Sequence, residues 1–160
     1  MENELLKDCY NSALRHLARK DYSEYKLRQK LKDKGHEQEI VDDVINELLE
    51  KKYLREDLYK EARIKGLLRK GYAFNVVEYR MAQEMCLASI EEIQAVALEV
   101  GLHEERQLED LVEKKVRIDY DFVSDKAKLK DRVLRYACQR GHSLSDTVRV
   151  YDNIIQKLES

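Results

Sequence analysis

The apolar residues of this chain fall at helical spacing from one end to the other, and no proline interrupts them. With only five glycines among 160 residues, each apolar stripe can continue until a turn ends it. The clearest stripe is Ile40, Val41, Val44, Ile45, Leu48 and Leu49, all on one side of a helix. Earlier stripes run through Leu6, Tyr10, Ala13, Leu14 and Leu17, then through Leu27 and Leu31. Later ones carry Tyr59, Ile64, Leu67 and Leu68, then Phe74, Val77, Met81 and Met85, then Ile90, Ile93, Ala97 and Val100. The last three carry Leu108, Leu111, Val112 and Val116, then Leu129, Val133 and Ala137, then Leu144, Val148, Tyr151, Ile154 and Leu158. The β-branched runs expected of strands are missing, while Leu, Glu, Lys and Arg, all good helix formers, are plentiful. The expectation is an all-α chain of about nine helices.

The punctuation repeats. Ser23 is placed to cap the second helix, with Tyr22 and Leu27 at the spacing of a hydrophobic staple. Fifty residues on, Arg69-Lys70-Gly71-Tyr72 echoes Arg19-Lys20-Asp21-Tyr22, with Ala73 in place of the cap. A shift of 106 residues puts Gly35 on Gly141, and Leu48 and Leu49 on Ile154 and Ile155. Both glycines then end a middle helix, where the left-handed conformation favours glycine. The spacing predicts three tandem three-helix repeats, over 1–53, 54–102 and 103–160. A unit of that size buries little alone, so neighbours are expected to stack into an elongated, curved array.

Charge is segregated although the net charge is only −2. Ser12 to Lys34 holds eight basic residues against three acidic, and Lys126 to Arg140 holds six against one. Gly35 to Glu61 holds four basic against nine acidic, and Glu91 to Glu113 one against eight. Such patterning bears on partners rather than on fold. On the basic middle helices, Arg28 and Lys32 share a face, and so do Lys128, Arg132 and Arg135, opposite Leu129, Val133 and Ala137. Two readings of these faces stand: a footprint for phosphates or for an acidic protein groove, or a solvated surface. The candidates for partner or DNA contact are Arg28, Lys32, Lys126, Lys128, Arg132, Arg135 and Arg140.

Other chemistry finds little support. There is no glycine-rich phosphate loop, and no pair of Cys or His at metal-ligand spacing, so neither an enzyme nor a cofactor is expected. Cys86 and Cys138 read as core residues on helices. Tyr53, Tyr59, Tyr72, Tyr136 and Tyr151 read either as base-stacking rings or as core rings with the hydroxyl at the surface. No apolar run reaches the roughly eighteen residues of a membrane helix. The first residues, MENELLKDCYN, read as a helix rather than a signal peptide, which with three scattered cysteines points to a reducing cytoplasm.

The stretch from Ala13 to Leu54 resembles the first repeat of the RecX regulatory proteins. The resemblance rests on Ala13-Leu14, Leu17-Ala18, Arg19, Ser23, Leu27-Arg28, Lys30-Leu31, Lys34-Gly35, the Ile40/Val44/Leu48 stripe and Tyr53-Leu54 before Glu56. The last repeat joins it through Arg132-Val133-Leu134 and Arg140-Gly141. In that family Glu normally stands at the position of Lys26, completing a capping box, and the middle repeat has Gly-Pro where this chain has Ala73-Phe74 and Lys-Gly where it has Glu84-Met85. The resemblance implies a non-enzymatic modulator that binds the RecA–DNA filament and limits its assembly or activity in recombination and the SOS response; the expectation beside it is a monomer with weak non-specific contact to single- or double-stranded DNA. Two alternatives remain: a helix-turn-helix-like DNA-binding module, against which base-reading Asn and Gln are scarce on the basic helices, or a helical adaptor for another protein.

Overall fold

The computed structural model describes residues 1–160 apart from the side chain of Glu2. Among the described residues there are nine α-helices and no strand, an all-α fold. The chain divides into two compact units: residues 1–63 with 81–87, and residues 64–80 with 88–160.

In the first unit, α1 (Glu2–Leu17), α2 (Glu24–Asp33) and α3 (Gln38–Glu50) pack on one another. Their shared core contains Cys9, Ala13, Tyr22, Leu27, Leu31, Val41, Val44, Ile45, Leu48 and Leu54. The strongest sequence stripe is thus the centre of this unit, although Leu49 at its margin is exposed. α2 starts as its sequence requires: Lys26 N–H donates to Ser23 Oγ at 3.2 Å. With Lys26 at the third position no side chain reaches back to complete a box. Instead Glu56, at the start of α4 (Glu56–Arg69), accepts from Glu24 N–H at 3.1 Å and supplies a carboxylate to that helix end.

α4 and α5 (Phe74–Gln83) each contribute residues to both units. The second unit adds α6 (Ile90–Glu99), α7 (Glu104–Asp119), α8 (Lys126–Cys138) and α9 (Leu144–Glu159). Val112, Val116, Leu129, Val133, Tyr151 and Ile154 form a core between α7, α8 and α9. The stripe of α9 is shorter than its sequence suggests. Leu144 and Leu158, at its two ends, are exposed, and Thr147 is buried with its hydroxyl donated to Ser143 O at 2.6 Å. α6 carries a full capping box that its apolar spacing does not disclose: Ser89 Oγ accepts from Glu92 N–H, and Glu92 Oε2 from Ser89 N–H.

Helices α2, α5 and α8 end in one way. After α2, Gly35 N–H donates to Lys32 O and His36 N–H to Leu31 O. After α8 the same two bonds join Gly141 to Cys138 and His142 to Ala137. This is the Schellman arrangement, with both glycines at φ 89°. α5 closes identically, Met85 to Ala82 and Cys86 to Met81, but with Met85 at φ 55° in the glycine position. Met85, expected in the apolar stripe of α5, is therefore an exposed turn residue. Cys86 is buried as expected, but in that turn rather than on a helix; Cys138, expected in the core, is exposed at the last position of α8.

Candidate partner interface

α8 begins at Asp125, whose Oδ1 accepts from Ala127 N–H at 2.9 Å and Lys128 N–H at 3.4 Å. Its apolar side, Leu129, Val133 and Ala137, is buried, which turns Lys128, Arg132 and Arg135 outward together on the exposed side. Their surroundings differ. Lys128 has no ion-pair partner among the described residues. Arg135 pairs with Asp131 of its own helix at 2.7 Å, both well exposed. Arg132 Nε lies 3.5 Å from Oδ2 of Asp119, a carboxylate buried at the end of α7. Lys115 approaches the same oxygen to 2.9 Å, near enough for charge pairing but without the alignment of a hydrogen bond.

The outcome is an open cleft between α7 and α8 lined by Lys115, Asp131, Arg132, Arg135, Tyr136 and Gln139. Lys115 Nζ stands 4.9 Å from the centre of the Tyr136 ring. Lys115 was not among the sequence candidates because α7 begins in an acidic stretch; the run Lys114-Lys115-Arg117 in its second half was the available signal. Lys126 sits outside this cleft, paired with Glu159 of α9. Lys130, on the side toward α9, pairs with Asp152 at 2.7 Å.

Arg140 has a different occupation. Its Nε donates to Lys70 O at 2.7 Å, its Nη1 donates to Tyr136 O at 3.2 Å, and its guanidinium lies 3.6 Å from the Tyr136 ring centre. Ala73 N–H in turn donates to Arg140 O at 2.8 Å, and His142 Nε2 stands 2.8 Å from Gly71 O. The group therefore joins the α8–α9 turn to the α4–α5 turn. A side chain at position 141 would strike Val76, so Gly141 serves this close approach as well as its backbone angle.

In the first unit Arg28 is half-buried, bonded to Glu24 Oε1 at 3.0 Å and paired with Asp42. Lys32, one turn further, is exposed. These two lie in a different unit from the α8 residues. The tyrosines divide: Tyr151 is buried, Tyr59, Tyr72 and Tyr136 are half-buried, and Tyr53 is exposed.

The first unit also holds an ionic cluster that sequence reasoning did not foresee. Glu84, in the turn after α5, accepts from Lys26 Nζ at 3.0 Å, Tyr59 OH at 2.9 Å and Arg63 Nη2 at 2.5 Å. Burial pushes its carboxyl up, but the hydrogen bonds from Arg63, Lys26 and Tyr59 outweigh it and hold the group at about 2. All its members are engaged with one another, so the cluster fastens the fold. Among the described residues no three His, Cys, Asp or Glu gather at metal-binding distance, and no helix is long and apolar enough to cross a membrane.

Residues 9–48 match the family model described as RecX, first three-helix domain. A regulatory protein RecX from Vibrio cholerae is 40% identical over 80 residues, covering 50% of this chain and 50% of the relative. Another from Clostridium perfringens is 30% identical over 147 residues, 89% of this chain and 66% of the relative. The matched parts thus span about half of the first relative's length and just under two thirds of the second's. The crystal structure of RecX from Lactobacillus salivarius superposes with a TM-score of 0.66 over 98% of both chains at 15% identity, a likeness of fold.

Proposed function

The chain belongs to the RecX family, and from that premise we propose that it is a non-enzymatic regulator of the RecA recombinase. In this reading it acts in the cytoplasm as a monomer, binds the RecA–DNA filament, and limits filament assembly or activity in recombination and the SOS response. The observation that carries the proposal, beyond membership, is the α8 face: Lys128, Arg132 and Arg135 outward together over a buried apolar side, with Lys115 beside them. A cationic face of this kind suits DNA phosphates or an acidic filament wall. Lys126 joins it by exchanging its pairing with Glu159, and Arg28 and Lys32 of the first repeat make a weaker second contact because Glu24 and Asp42 already neutralise Arg28. Arg140 acts through the fold, by fixing the turn that α8 enters. The repeats 1–53, 54–102 and 103–160 would each offer a middle helix to the filament. Binding that favours one filament state over another shifts assembly without chemistry.

The test is RecA-catalysed ATP hydrolysis on single-stranded DNA with and without the protein. The expected result is a rate that falls as the protein is added. An unchanged rate at saturating protein removes the assignment. The second reading, a helix-turn-helix-like DNA-binding module, draws on the same exposed cations and requires sequence preference on bare duplex. The third, an adaptor for another protein, requires binding to neither filament nor DNA.

A further inference from the structure

Between the ends of α4 and α6 and the first half of α7, the second unit has a pocket of about 530 Å³. Leu68, Val100, Leu102 and Leu111 give it apolar walls, Leu68 buried and the other three half-buried. One side chain among them is polar. Gln107 lines the pocket and is only 4% exposed. Its Nε2 donates to Tyr72 O at 2.7 Å, and a carbonyl accepts only from the amide nitrogen, so the two ends of the amide are fixed. Among the described residues Oε1 accepts no hydrogen bond. It is not sealed in either, since the enclosed side-chain atoms without a partner are His16 Nε2 and Asp119 Oδ2. Gln107 Oε1 is thus an open acceptor in apolar surroundings.

Polar groups this deep are nearly always paired, and ligand sites combine an apolar lining with a few such groups. The neighbouring turns have no main-chain donor to spare for Oε1. Gly71 and Tyr72 N–H close α4 on Leu68 O and Leu67 O, and Gly101 and Leu102 N–H close α6 on Leu98 O and Ala97 O. The missing donor must come from outside the fold. The rim is mixed in sign, with Arg69 and Lys114 against Glu99 and Asp110, so it selects neither an anion nor a cation. The same charges interrupt the apolar surface that the core of a protein interface needs, whereas the volume is that of a small-molecule site.

We propose that this pocket binds a small, uncharged, largely apolar molecule, such as a heteroaromatic ring, through one N–H or O–H that donates to Gln107 Oε1. Burial of the ligand body against Leu68, Val100, Leu102 and Leu111 supplies the affinity. Gln107 supplies the orientation, because Tyr72 O holds one end of its amide and the ligand meets the other. A ligand without a donor would cover Oε1 and leave it unpaired, which costs affinity. The pocket shares no residue with the α7–α8 cleft and makes no use of a recombinase.

The experiment is titration of the isotope-labelled full chain with indole, followed by nuclear magnetic resonance. Indole should bind with a Kd below about 1 mM, an ordinary efficiency for so few atoms, and should shift the side-chain amide of Gln107. N-methylindole, which keeps the rings and lacks the N–H, should bind at least about fivefold more weakly. Gln107→Met should bind the two alike, at the weaker value. Because that substitution also gives up the bond to Tyr72 O, Val100→Phe is the second variant: it keeps Gln107, fills the pocket and should lose indole binding. Equal affinity of the wild type for indole and N-methylindole overturns the proposal. So do shifts that miss Gln107, and wild-type indole binding by the folded Val100→Phe protein. N-acetyltryptophanamide bound at least about tenfold more tightly than indole, with the same dependence on Gln107, reassigns the pocket to a tryptophan of a partner protein and overturns the free-ligand reading. No probe contains DNA or RecA, so failure here leaves the RecA assay standing, and failure there leaves the pocket.

Discussion

Lys26 Nζ lies 3.0 Å from Glu84 Oε2, across 58 residues of chain. These are two positions at which the chain departs from the RecX pattern, and it departs in opposite senses: a base where the family carries an acid, and an acid where it carries a base. Arg63 and Tyr59 complete the set, and Glu84, with a side chain only 17% exposed, takes bonds from all three. Removing one member of such a group leaves the others desolvated and unpaired.

Glu84→Gln should therefore lower stability by about 2 kcal/mol near neutral pH. The folded carboxyl titrates at about 2, below its ordinary 4.5, so the stabilisation is fully present above pH 4.5 and is lost as pH falls toward 2. Urea unfolding of wild type should weaken by about 2–3 kcal/mol across that window beyond what Glu84→Gln shows. Parallel pH profiles for the two proteins would deny Glu84 this role.

Leu48 is fully buried at the centre of the first unit's core. Leu48→Asp puts a charge where no partner waits and should cost on the order of 3 to 5 kcal/mol. Chemical denaturation measures this directly, and a midpoint equal to that of wild type would contradict the packing of α3.

Met85 holds a glycine conformation at φ 55°, with its side chain 62% exposed. Left-handed backbone costs a non-glycine residue about 1–2 kcal/mol, and glycine returns roughly half of that to the unfolded chain as entropy. Met85→Gly should thus stabilise the protein by about 0.5–1 kcal/mol, seen as a rise of a few degrees in Tm. A fall in Tm would mean that the thioether contributes more than its exposure allows.

On α8, Lys128→Glu with Arg135→Glu and Arg132→Gln should leave helicity and melting nearly unchanged, since all three side chains are outside the core. Arg132 is neutralised rather than reversed because it stands near the buried carboxylate of Asp119. Binding to RecA filaments should weaken strongly, with a salt dependence that is shallower by about one for each phosphate no longer neutralised. Wild-type filament binding by the folded variant would leave these charges as an ordinary solvated face.

Much of the fold could be read along the chain because its determinants are local. The Val41, Val44, Ile45 and Leu48 stripe, the Ser23 cap and the left-handed Gly35 and Gly141 each need only neighbours a few residues away. The errors lie where tertiary contact decides. Nothing around Leu144 and Leu158 in sequence says that α9 outruns its core at both ends, nor that Cys138 falls on the open side of α8. The α8 face was legible as a spacing of four and three, but Arg140 was not separable from it, because its acceptor, Lys70 O, lies 70 residues away. Lys26 with Glu84 joins segments that a single sequence gives no reason to pair.

The clasp between the two turns ties the time course of their motions together. Gly71 and Tyr72 present carbonyls to His142 and Gln107, Lys70 presents one to Arg140, and Ala73 returns a bond to Arg140. Neither turn can open to solvent while the other stays closed. Amide protons near residues 71–73 and 141–142 should therefore exchange as one cooperative unit despite their distance in sequence. The 70–73 side offers only main-chain groups, so the side chains of Gln107, Arg140 and His142 decide whether that unit forms, and a relative's last three helices would keep it only by carrying donors at those three positions.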